Sequence, residues 1–283
     1  MAHRTELLII DAQNDFCDLP DAWCASDPVT GALLRPALPV PGAHADLLRL
    51  AAFIGAAGPR IGGITVTLDS HHRYDIAHPP YWRQADGTPV PPFTPISAAQ
   101  VRAGAFTPVV PTELPRTLAY LDALEATGRY TLMVWPVHCQ LGSWGHGLHP
   151  AVLAACDAWE DAAHTPVRVV DKGSYPWSEH YSALQAEVPD PAVPATQLDQ
   201  VLLQRLDAAD TLLVAGQASS HCVKATVEHL VQHLPGGRPQ RLLLLTDCMS
   251  PVAGFEPQAQ GFLAAMAAIG VRCMPQADAA RLL

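Results

Sequence analysis

The chain has 283 residues, of which 49% are hydrophobic and 16% are charged, and its formal net charge at neutral pH is −10. This length and hydrophobic content allow a sizeable core, and the low charged fraction argues against extensive disorder. The acidic balance argues against a nucleic-acid-binding protein and against one that docks on anionic membranes, because both need a basic face.

The sequence shows no targeting segment. No apolar stretch approaches the length of a membrane-spanning helix, and no signal region with a small-residue cleavage site precedes the first strand-like run at residues 7–10. We therefore expect a cytoplasmic protein. The seven cysteines are odd in number and form no Cys-x-x-Cys pair, which argues against a disulfide framework or a structural zinc site.

Strand-like and helix-like runs alternate along the chain. Apolar runs predict buried parallel strands at residues 7–10, 61–68, 167–170, 211–215 and 241–246, with a weaker sixth run at 130–134. Helical patterns predict helices at residues 44–57, 149–159, 198–206, 223–233 and 258–269. This alternation predicts a single α/β domain over residues 1–283, with a doubly wound, mostly parallel sheet flanked by helices in three α/β/α layers.

One segment interrupts the alternation, and we expect a proline-rich insert at about residues 79–129. Pro-Pro pairs occur at 79–80 and 91–92, and we find no helical or alternating period across residues 79–115. A long segment of this kind inside a compact domain is typically a lid, an oligomer contact or poorly ordered.

Three chemically active side chains follow predicted strands. Asp11 follows the first strand, Lys172 the run at 167–170, and Cys222 the run at 211–215. Sites in doubly wound sheets form at such strand ends. A helix N-terminus and a nearby lysine stabilise a thiolate, and a carboxylate can accept the thiol proton and return it to a leaving amine. Taken singly, each residue also fits a plainer role, namely a buried small hydrophobe, a turn cap or a surface lysine.

A second group suits a metal ion. Asp69 and His71 are two residues apart after the second strand, and His138 follows the weaker run at 130–134. One carboxylate and two imidazoles with open positions suit zinc, iron or manganese, with His72 and His78 as candidates for a further ligand. Because the chain has 13 histidines, histidines in a polar loop are the alternative interpretation.

These residues lie in five motifs, which together resemble the isochorismatase-like cysteine hydrolases and, within that superfamily, most resemble the nicotinamidases. The resemblance covers nearly the whole chain outside the insert. The motifs are Ile9-Ile10-Asp11-Ala12-Gln13-Asn14-Asp15-Phe16-Cys17, Asp69-Ser70-His71, Trp135-Pro136-Val137-His138-Cys139, Asp171-Lys172-Gly173 and Gly216-Gln217-Ala218-Ser219-Ser220-His221-Cys222-Val223.

The resemblance implies a catalytic role for one set of residues. It implies that Cys222 is the nucleophile, that Asp11 accepts and donates protons, and that Lys172 is the third member of a triad. It also implies an oxyanion hole made by the backbone amides of Ala218 and Cys222, with a cis peptide between Gln217 and Ala218.

The resemblance also implies a metal site and a ring-binding site. Asp69, His71 and His138 match the metal ligands of nicotinamidases, so we expect one divalent ion, with zinc first and iron or manganese as alternatives. Phe16 and Trp135 match the aromatic residues that sandwich a pyridine ring. His78 falls near a position that supplies a fourth ligand in some members of the family. Ser220 stands where many relatives carry an acidic residue.

The nucleophile and the metal motif together favour hydrolysis of nicotinamide to nicotinate and ammonia through an acyl-thioester. One alternative is an amidase acting on a different small amide, with the insert reshaping the pocket. Another is a non-catalytic binding protein of the same fold. The expected partners are a small-molecule amide and further copies of the chain in a homo-oligomer.

Overall fold

The structure is a computed structural model that describes residues 3–234 and 238–283. Its strands are β1 (Thr5–Ile10), β2 (Gly63–Asp69), β3 (Trp82–Gln84), β4 (Thr94–Ile96), β5 (Phe106–Pro108), β6 (Leu132–Val134), β7 (Arg168–Lys172), β8 (Thr211–Gly216), β9 (Leu242–Leu245) and β10 (Arg272–Met274). Its α-helices are α1 (Ala43–Ala57), α2 (Ala98–Arg102), α3 (Leu114–Ala126), α4 (Pro150–Ala163), α5 (Gln200–Asp207), α6 (Cys222–His233), α7 (Glu256–Ala268) and α8 (Gln276–Leu282).

The centre of the fold is a six-stranded parallel sheet in the order β10-β9-β8-β1-β2-β7. All five of the stronger predicted strands lie in it, which confirms the doubly wound α/β fold. The weaker run at 130–134 is not part of this sheet, because β6 pairs antiparallel with β4. The sixth strand is instead β10, whose sequence Arg-Cys-Met is too short to show a period.

The prediction of a buried strand at 167–170 is wrong about burial. β7 is an edge strand, and the Val169 side chain is 54% exposed. β1 lies between β8 and β2, and all six of its residues are buried. An apolar run therefore indicated a strand in both places but did not distinguish the edge of the sheet from its centre.

Helices cover both faces of the sheet. α1 packs against α4 and α8 on one face. The crossovers through α6 and α7 run along the sheet in the opposite direction, so right-handed connections place these helices on the other face. The five predicted helices correspond to α1, α4, α5, α6 and α7. Within residues 3–234 and 238–283, no helix has the length and apolar character needed to cross a membrane.

The expectation that residues 79–115 lack regular structure is wrong. β3, β4, β5 and α2 lie within this range, and α3 follows at once. The segment has a hydrophobic core of its own in which Tyr81 and Trp82 are fully buried. The proline spacing hid α3 because Pro115 occupies the first turn of that helix, where a missing N–H costs no hydrogen bond.

The order of the strands locates the functional edge of the sheet. The chain runs outwards from β1 through β2 to β7, and outwards from β8 through β9 to β10, so the winding reverses between β1 and β8. Ligands bind outside the carboxyl ends of strands at such a point. There Ile10 pairs with Gly216, where a Cβ atom would lie 1.9 Å from the Ile10 carbonyl oxygen, so only glycine fits.

A buried carboxylate makes the stability of the fold depend on pH. Glu187 Oε2 lies 3.4 Å from Arg129 Nη1, and the Glu187 side chain is almost fully buried. Burial raises the pKa of Glu187 from 4.5 to about 7 in the folded state. A raised carboxyl pKa stabilises the fold at low pH, and this contribution is lost as the pH rises from about 4.5 to about 7.

We expect the stability of Glu187→Gln relative to the wild type to increase from pH 5 to pH 8. The wild type loses stability over this range as Glu187 ionises, whereas the buried amide never ionises. The difference in unfolding free energy should reach at most about 3 kcal/mol at pH 8. Denaturant unfolding at both pH values measures it. Glu228→Gln is the matched control, because Glu228 pairs with the same Arg129 but its side chain is 29% exposed. A Glu187→Gln effect of equal size at both pH values would contradict this account.

Candidate active site

The structure brings Asp11, Lys172 and Cys222 together at the switch point of the sheet. Lys172 Nζ lies 3.0 Å from Asp11 Oδ2, 2.9 Å from Asp69 Oδ1 and 3.7 Å from Cys222 Sγ. All four residues are buried. These residues come from four elements and form one cluster around the lysine. Asp69 closes β2, Lys172 closes β7, Asp11 follows β1 and Cys222 begins α6.

Lys172 is held as a cation. Burial disfavours its charge, but Asp11 and Asp69 raise the pKa of Lys172 well above its usual value. Its ammonium group also donates a hydrogen bond of 2.9 Å to the carbonyl oxygen of His180. The lysine thus neutralises part of the charge of two buried carboxylates that would otherwise repel each other.

Burial and Lys172 act in opposite directions on the pKa of Cys222. Burial raises the pKa of Cys222 well above its usual value, and the opposing effect of Lys172 is smaller. Lys172 thus acts on the pKa of Cys222 in the expected direction, and burial outweighs it. A buried thiol of this kind needs a base to take up its proton.

Asp11 is placed to be that base. Thr67 Oγ1 donates a 2.5 Å hydrogen bond to Asp11 Oδ1, which fixes the carboxylate, and burial raises the pKa of Asp11. Oδ2 has no hydrogen-bond partner within the described part of the chain, although Lys172 is at ion-pair distance. One carboxylate oxygen of Asp11 and the Cys222 Sγ lie within 4.8 Å of each other.

The loop before Cys222 presents two free backbone donors. The peptide between Gln217 and Ala218 is cis, as the sequence resemblance implies. Gln217 anchors the loop, since its N–H donates to Ile10 O at 2.8 Å and its Nε2 donates to Asp46 Oδ2 at 3.0 Å. Among the hydrogen bonds of residues 3–234 and 238–283, none is donated by the N–H of Ala218 or Cys222.

Beside this cluster, four side chains converge. The imidazoles of His71, His78 and His138 each have a ring nitrogen within 4.8 Å of the others. Asp69 Oδ2 lies 3.1 Å from His71 Nε2 and 3.5 Å from His138 Nε2. The structure thus brings together all three residues of the predicted metal set and adds His78, whereas the side chain of His72 is exposed.

The tautomers of these histidines are set by their surroundings. Each Nδ1 faces an oxygen that can only accept a hydrogen bond and can donate to it, which leaves Nε2 as the nitrogen that would bind a metal ion. His71 Nε2 also faces Asp69 Oδ2 at 3.1 Å, and although burial opposes the charge, Asp69 and Asp75 raise the pKa of His71, so a metal ion would displace a proton there. The acceptors are Asp75 Oδ2 for His71 at 3.1 Å, the carbonyl of His72 for His78 at 3.1 Å, and the carbonyl of Pro136 for His138 at 2.8 Å. His138 Nδ1 also lies 3.2 Å from His78 Nε2, which can accept the same proton.

This arrangement fits a divalent metal ion. Metal-bound histidines characteristically donate their second ring N–H to a carboxylate or carbonyl oxygen, and all three imidazoles do so here. Burial lowers the pKa of His78 to about 2, which keeps this side chain neutral. One carboxylate and three imidazoles suit zinc, iron or manganese.

A small cavity joins the two clusters, with a volume of about 20 Å³, or about 330 Å³ when the open space at its mouth is included. Phe16 and Trp135 line it, together with Asp69, His138 and Cys222, as the resemblance implies. The remaining lining residues, which sequence reasoning did not identify, are Leu38, Glu179, Tyr181, His221 and Val252, besides the expected Ala218.

Glu179 is the most polar of the lining residues missed by the sequence. Its side chain is buried, and burial raises its pKa. Oε1 accepts a 2.9 Å hydrogen bond from the His180 N–H, whereas Oε2 has no partner in the described residues. Glu179 lies in an irregular segment after β7, so no strand end or period marked it.

A larger groove lies between α1 and α4, with about 840 Å³ of empty space. Its lining is made of alanine, glycine, proline and isoleucine residues with Trp159, and it includes no titratable side chain. This groove therefore lacks the titratable side chains that the predicted chemistry needs, whereas the smaller cavity at the strand ends has them.

The convergence of the four side chains predicts a metal affinity that depends on His78. We expect His78→Ala to weaken zinc binding by at least about tenfold, and Asp75→Asn to weaken it by about 10–100-fold through loss of the outer hydrogen bond. Competition titration of metal-free protein against a chromogenic chelator measures both effects.

The neighbouring His72 provides the control for this titration. Its side chain is exposed, so His72→Ala should bind zinc as tightly as the wild type. Equal affinities for His78→Ala and His72→Ala would show that His78 is not a ligand.

Comparison with known proteins finds likeness in structure and not in sequence. No family model and no curated protein matches the sequence. A nicotinamidase/pyrazinamidase of Acinetobacter baumannii is similar with a TM-score of 0.63 at 18% identity, covering 98% of each chain. The yeast nicotinamidase bound to the inhibitor nicotinaldehyde has a TM-score of 0.62 at 18% identity, covering 96% of this chain and 99% of that one.

A pyrazinamidase of Pyrococcus horikoshii in complex with zinc is similar with a TM-score of 0.54 at 16% identity, covering 96% of this chain and 99% of that one. At such identities the likeness establishes the fold. The chain therefore has the α/β fold shared by nicotinamidases, pyrazinamidases and isochorismatase-like hydrolases.

Proposed function

We propose that this protein is a cysteine amidohydrolase that converts nicotinamide and water to nicotinate and ammonia. The observation that carries the proposal is the position of Cys222 Sγ, within 4.8 Å of a carboxylate oxygen of Asp11 and 3.7 Å from Lys172 Nζ, in a cavity that His138 of the histidine cluster also lines. The fold shared with nicotinamidases supports it.

The first half of the reaction forms an acyl-thioester. Asp11 Oδ2 takes the proton of Cys222, and Sγ attacks the carboxamide carbon as the carbonyl electron pair moves onto oxygen. The N–H groups of Ala218 and Cys222 are available to hold this oxyanion. Asp11 then gives the proton to the amide nitrogen, the C–N bond breaks and ammonia leaves.

The second half returns the enzyme to its resting state. Asp11 takes a proton from water while the water oxygen attacks the thioester carbon. The tetrahedral intermediate then expels Sγ, which regains its proton from Asp11, and the carboxylic acid is released. Lys172 stays charged throughout. Its positive charge offsets the negative charges of Asp11 and Asp69 while the proton moves between Cys222, Asp11 and the substrate.

The rest of the cavity would orient a ring. A divalent ion held by Asp69, His71, His78 and His138 would supply an open coordination position for a pyridine nitrogen. Phe16 and Trp135 line the cavity beside it and can pack on the faces of the ring.

A second candidate is the hydrolysis of a different small amide. The observation in its favour is that the insert folds against the cavity wall, where Phe93 contacts Trp135 at a ring-centroid distance of 5.9 Å. A panel of pyridine, pyrazine, benzene and aliphatic carboxamides separates the two candidates, because only ring-nitrogen substrates gain from the metal site. A non-catalytic role is disfavoured because a fold alone does not require three buried ionisable groups at one point.

Replacing the nucleophile tests the proposal directly. We expect zinc-loaded wild-type protein to release ammonia from nicotinamide and Cys222→Ala to lose at least about 10³-fold in kcat, because no other thiol or hydroxyl can form the acyl intermediate. Cys273→Ala on strand β10 is the control and should keep full activity. Absence of ammonia release by the wild type, or its persistence in Cys222→Ala, would overturn the proposal.

Removing the base should slow the chemistry without impairing substrate binding. We expect Asp11→Asn to lower kcat by about 10²–10⁴-fold with little change in KM, because the amide keeps the shape of the carboxylate but cannot accept the thiol proton. Asp171→Asn is the control, since that side chain is 60% exposed next to Lys172. Steady-state ammonia release measures both variants, and a kcat for Asp11→Asn near that of the wild type would exclude Asp11 as the base.

A further inference from the structure

We infer that Phe93, within the proline-rich insert, is a positioning residue that holds Trp135 in the wall of the cavity and thereby sets the affinity for ring-bearing ligands. The inference deepens the proposed function and rests on it. Phe93 does not line the cavity, so it acts through Trp135, which does.

The pairing of the strands places Phe93 opposite Trp135. In the antiparallel pair, Thr94 faces Val134 and Ile96 faces Leu132. Continuing the register by one residue sets Phe93 opposite Trp135, and the Phe93 N–H donates to Val134 O at 2.6 Å. The two rings meet edge to face, with centroids 5.9 Å apart and an interplanar angle of 87°. Such aromatic cross-strand pairs stabilise the geometry of both partners.

The backbone of Phe93 is unusual for its residue type. Its φ of 62° lies in the left-handed region, where bulky side chains are rare because the Cβ atom is crowded. Glycine would fit the turn after Pro91 and Pro92 with less strain. A phenylalanine at this position indicates that the ring does something a relaxed turn does not require.

Trp135 is held by several contacts besides Phe93, including the rings of His221 and Phe255 at centroid distances of 5.2 and 6.1 Å. Its N–H donates to Ala77 O at 2.7 Å, and its indole Nε1 donates to Tyr181 OH at 3.1 Å. Trp135 itself is only 3% exposed, whereas Phe93 is 54% exposed. The Phe93 ring therefore packs on the solvent side of the Trp135 indole. Its removal would expose the side of Trp135 that faces the insert.

The decisive variant is Phe93→Gly, because it removes the ring and relieves the backbone at the same time. We expect thermal stability equal to or above that of the wild type, together with a KM for nicotinamide raised about three- to tenfold and a nearly unchanged kcat. Phe93→Ala removes the ring but keeps the strained φ, so it should raise KM equally while lowering the melting temperature. Phe93→Tyr keeps the ring and should restore the wild-type KM.

A matched control separates the ring from the backbone. His164 also has a left-handed φ, of 50°, at the end of α4, and it is exposed and outside the cavity lining. His164→Gly should therefore raise the melting temperature and leave KM unchanged. If His164→Gly and Phe93→Gly shift KM alike, the effect comes from backbone change in general and the inference is wrong.

A second measurement keeps the test independent of turnover. Nicotinaldehyde, the inhibitor bound in the yeast structure, carries the pyridine ring and an aldehyde that can add reversibly to a thiol, so its protection of Cys222 against iodoacetamide reports ligand binding without hydrolysis. Because Phe93→Gly leaves the thiol unchanged, a difference between the variant and the wild type reports the ring contacts. We expect about three- to tenfold more nicotinaldehyde to be needed for half-protection in Phe93→Gly, with an unchanged alkylation rate in its absence.

The two proposals fail in different ways. A wild type that nicotinaldehyde protects but that does not hydrolyse nicotinamide would overturn the proposed function and leave the role of Phe93 measurable by protection. Equal half-protection in the wild type and Phe93→Gly, or no protection in either, would overturn the role of Phe93.

Discussion

The buried ammonium group of Lys172 is the contact on which the rest of the site depends. It lies within 3.0 Å of carboxylate oxygens from both Asp11 and Asp69, which come from the ends of neighbouring strands. Removing one partner from a buried ionic group costs about 3–5 kcal/mol, so each member of this cluster fixes the others. The same lysine therefore links the thiol chemistry of Asp11 and Cys222 to the histidine cluster that shares Asp69.

Asp69 belongs to both clusters, and each of its two carboxylate oxygens contacts one of them. Oδ1 accepts from Lys172, while Oδ2 faces His71 and His138. Because the two oxygens belong to one planar group, the histidine cluster and the Cys222 cluster are held at a fixed separation. A ring oriented by the first cluster would then present its carboxamide to the second at a distance set by the sheet, and not by a flexible loop.

The sequence predicted what depends on strands and strand ends, and it failed where tertiary contacts decide. The five long apolar runs and the residues that follow them were found because parallel strands carry continuous hydrophobic runs. The three-residue strand β10 has no period, the exposure of β7 depends on its lack of an outer neighbour, and Pro115 disguised the start of α3. Glu179 reaches the cavity from irregular chain, which leaves no periodic signal.

Under the proposed function, the insert and the sheet would have separate roles in specificity and in catalysis. Asp11 follows β1, Lys172 closes β7 and Cys222 begins the helix after β8, so the strands of the six-stranded sheet position all three. His78 and Trp135 stand at the two ends of the insert, and the backbone bond from Trp135 to Ala77 joins those ends. A change inside the insert therefore acts on the ring-facing wall through Phe93 and Trp135, with the nucleophile untouched. Under the proposed function, the insert would influence the choice of amide, and the residues at the strand ends would carry out its cleavage.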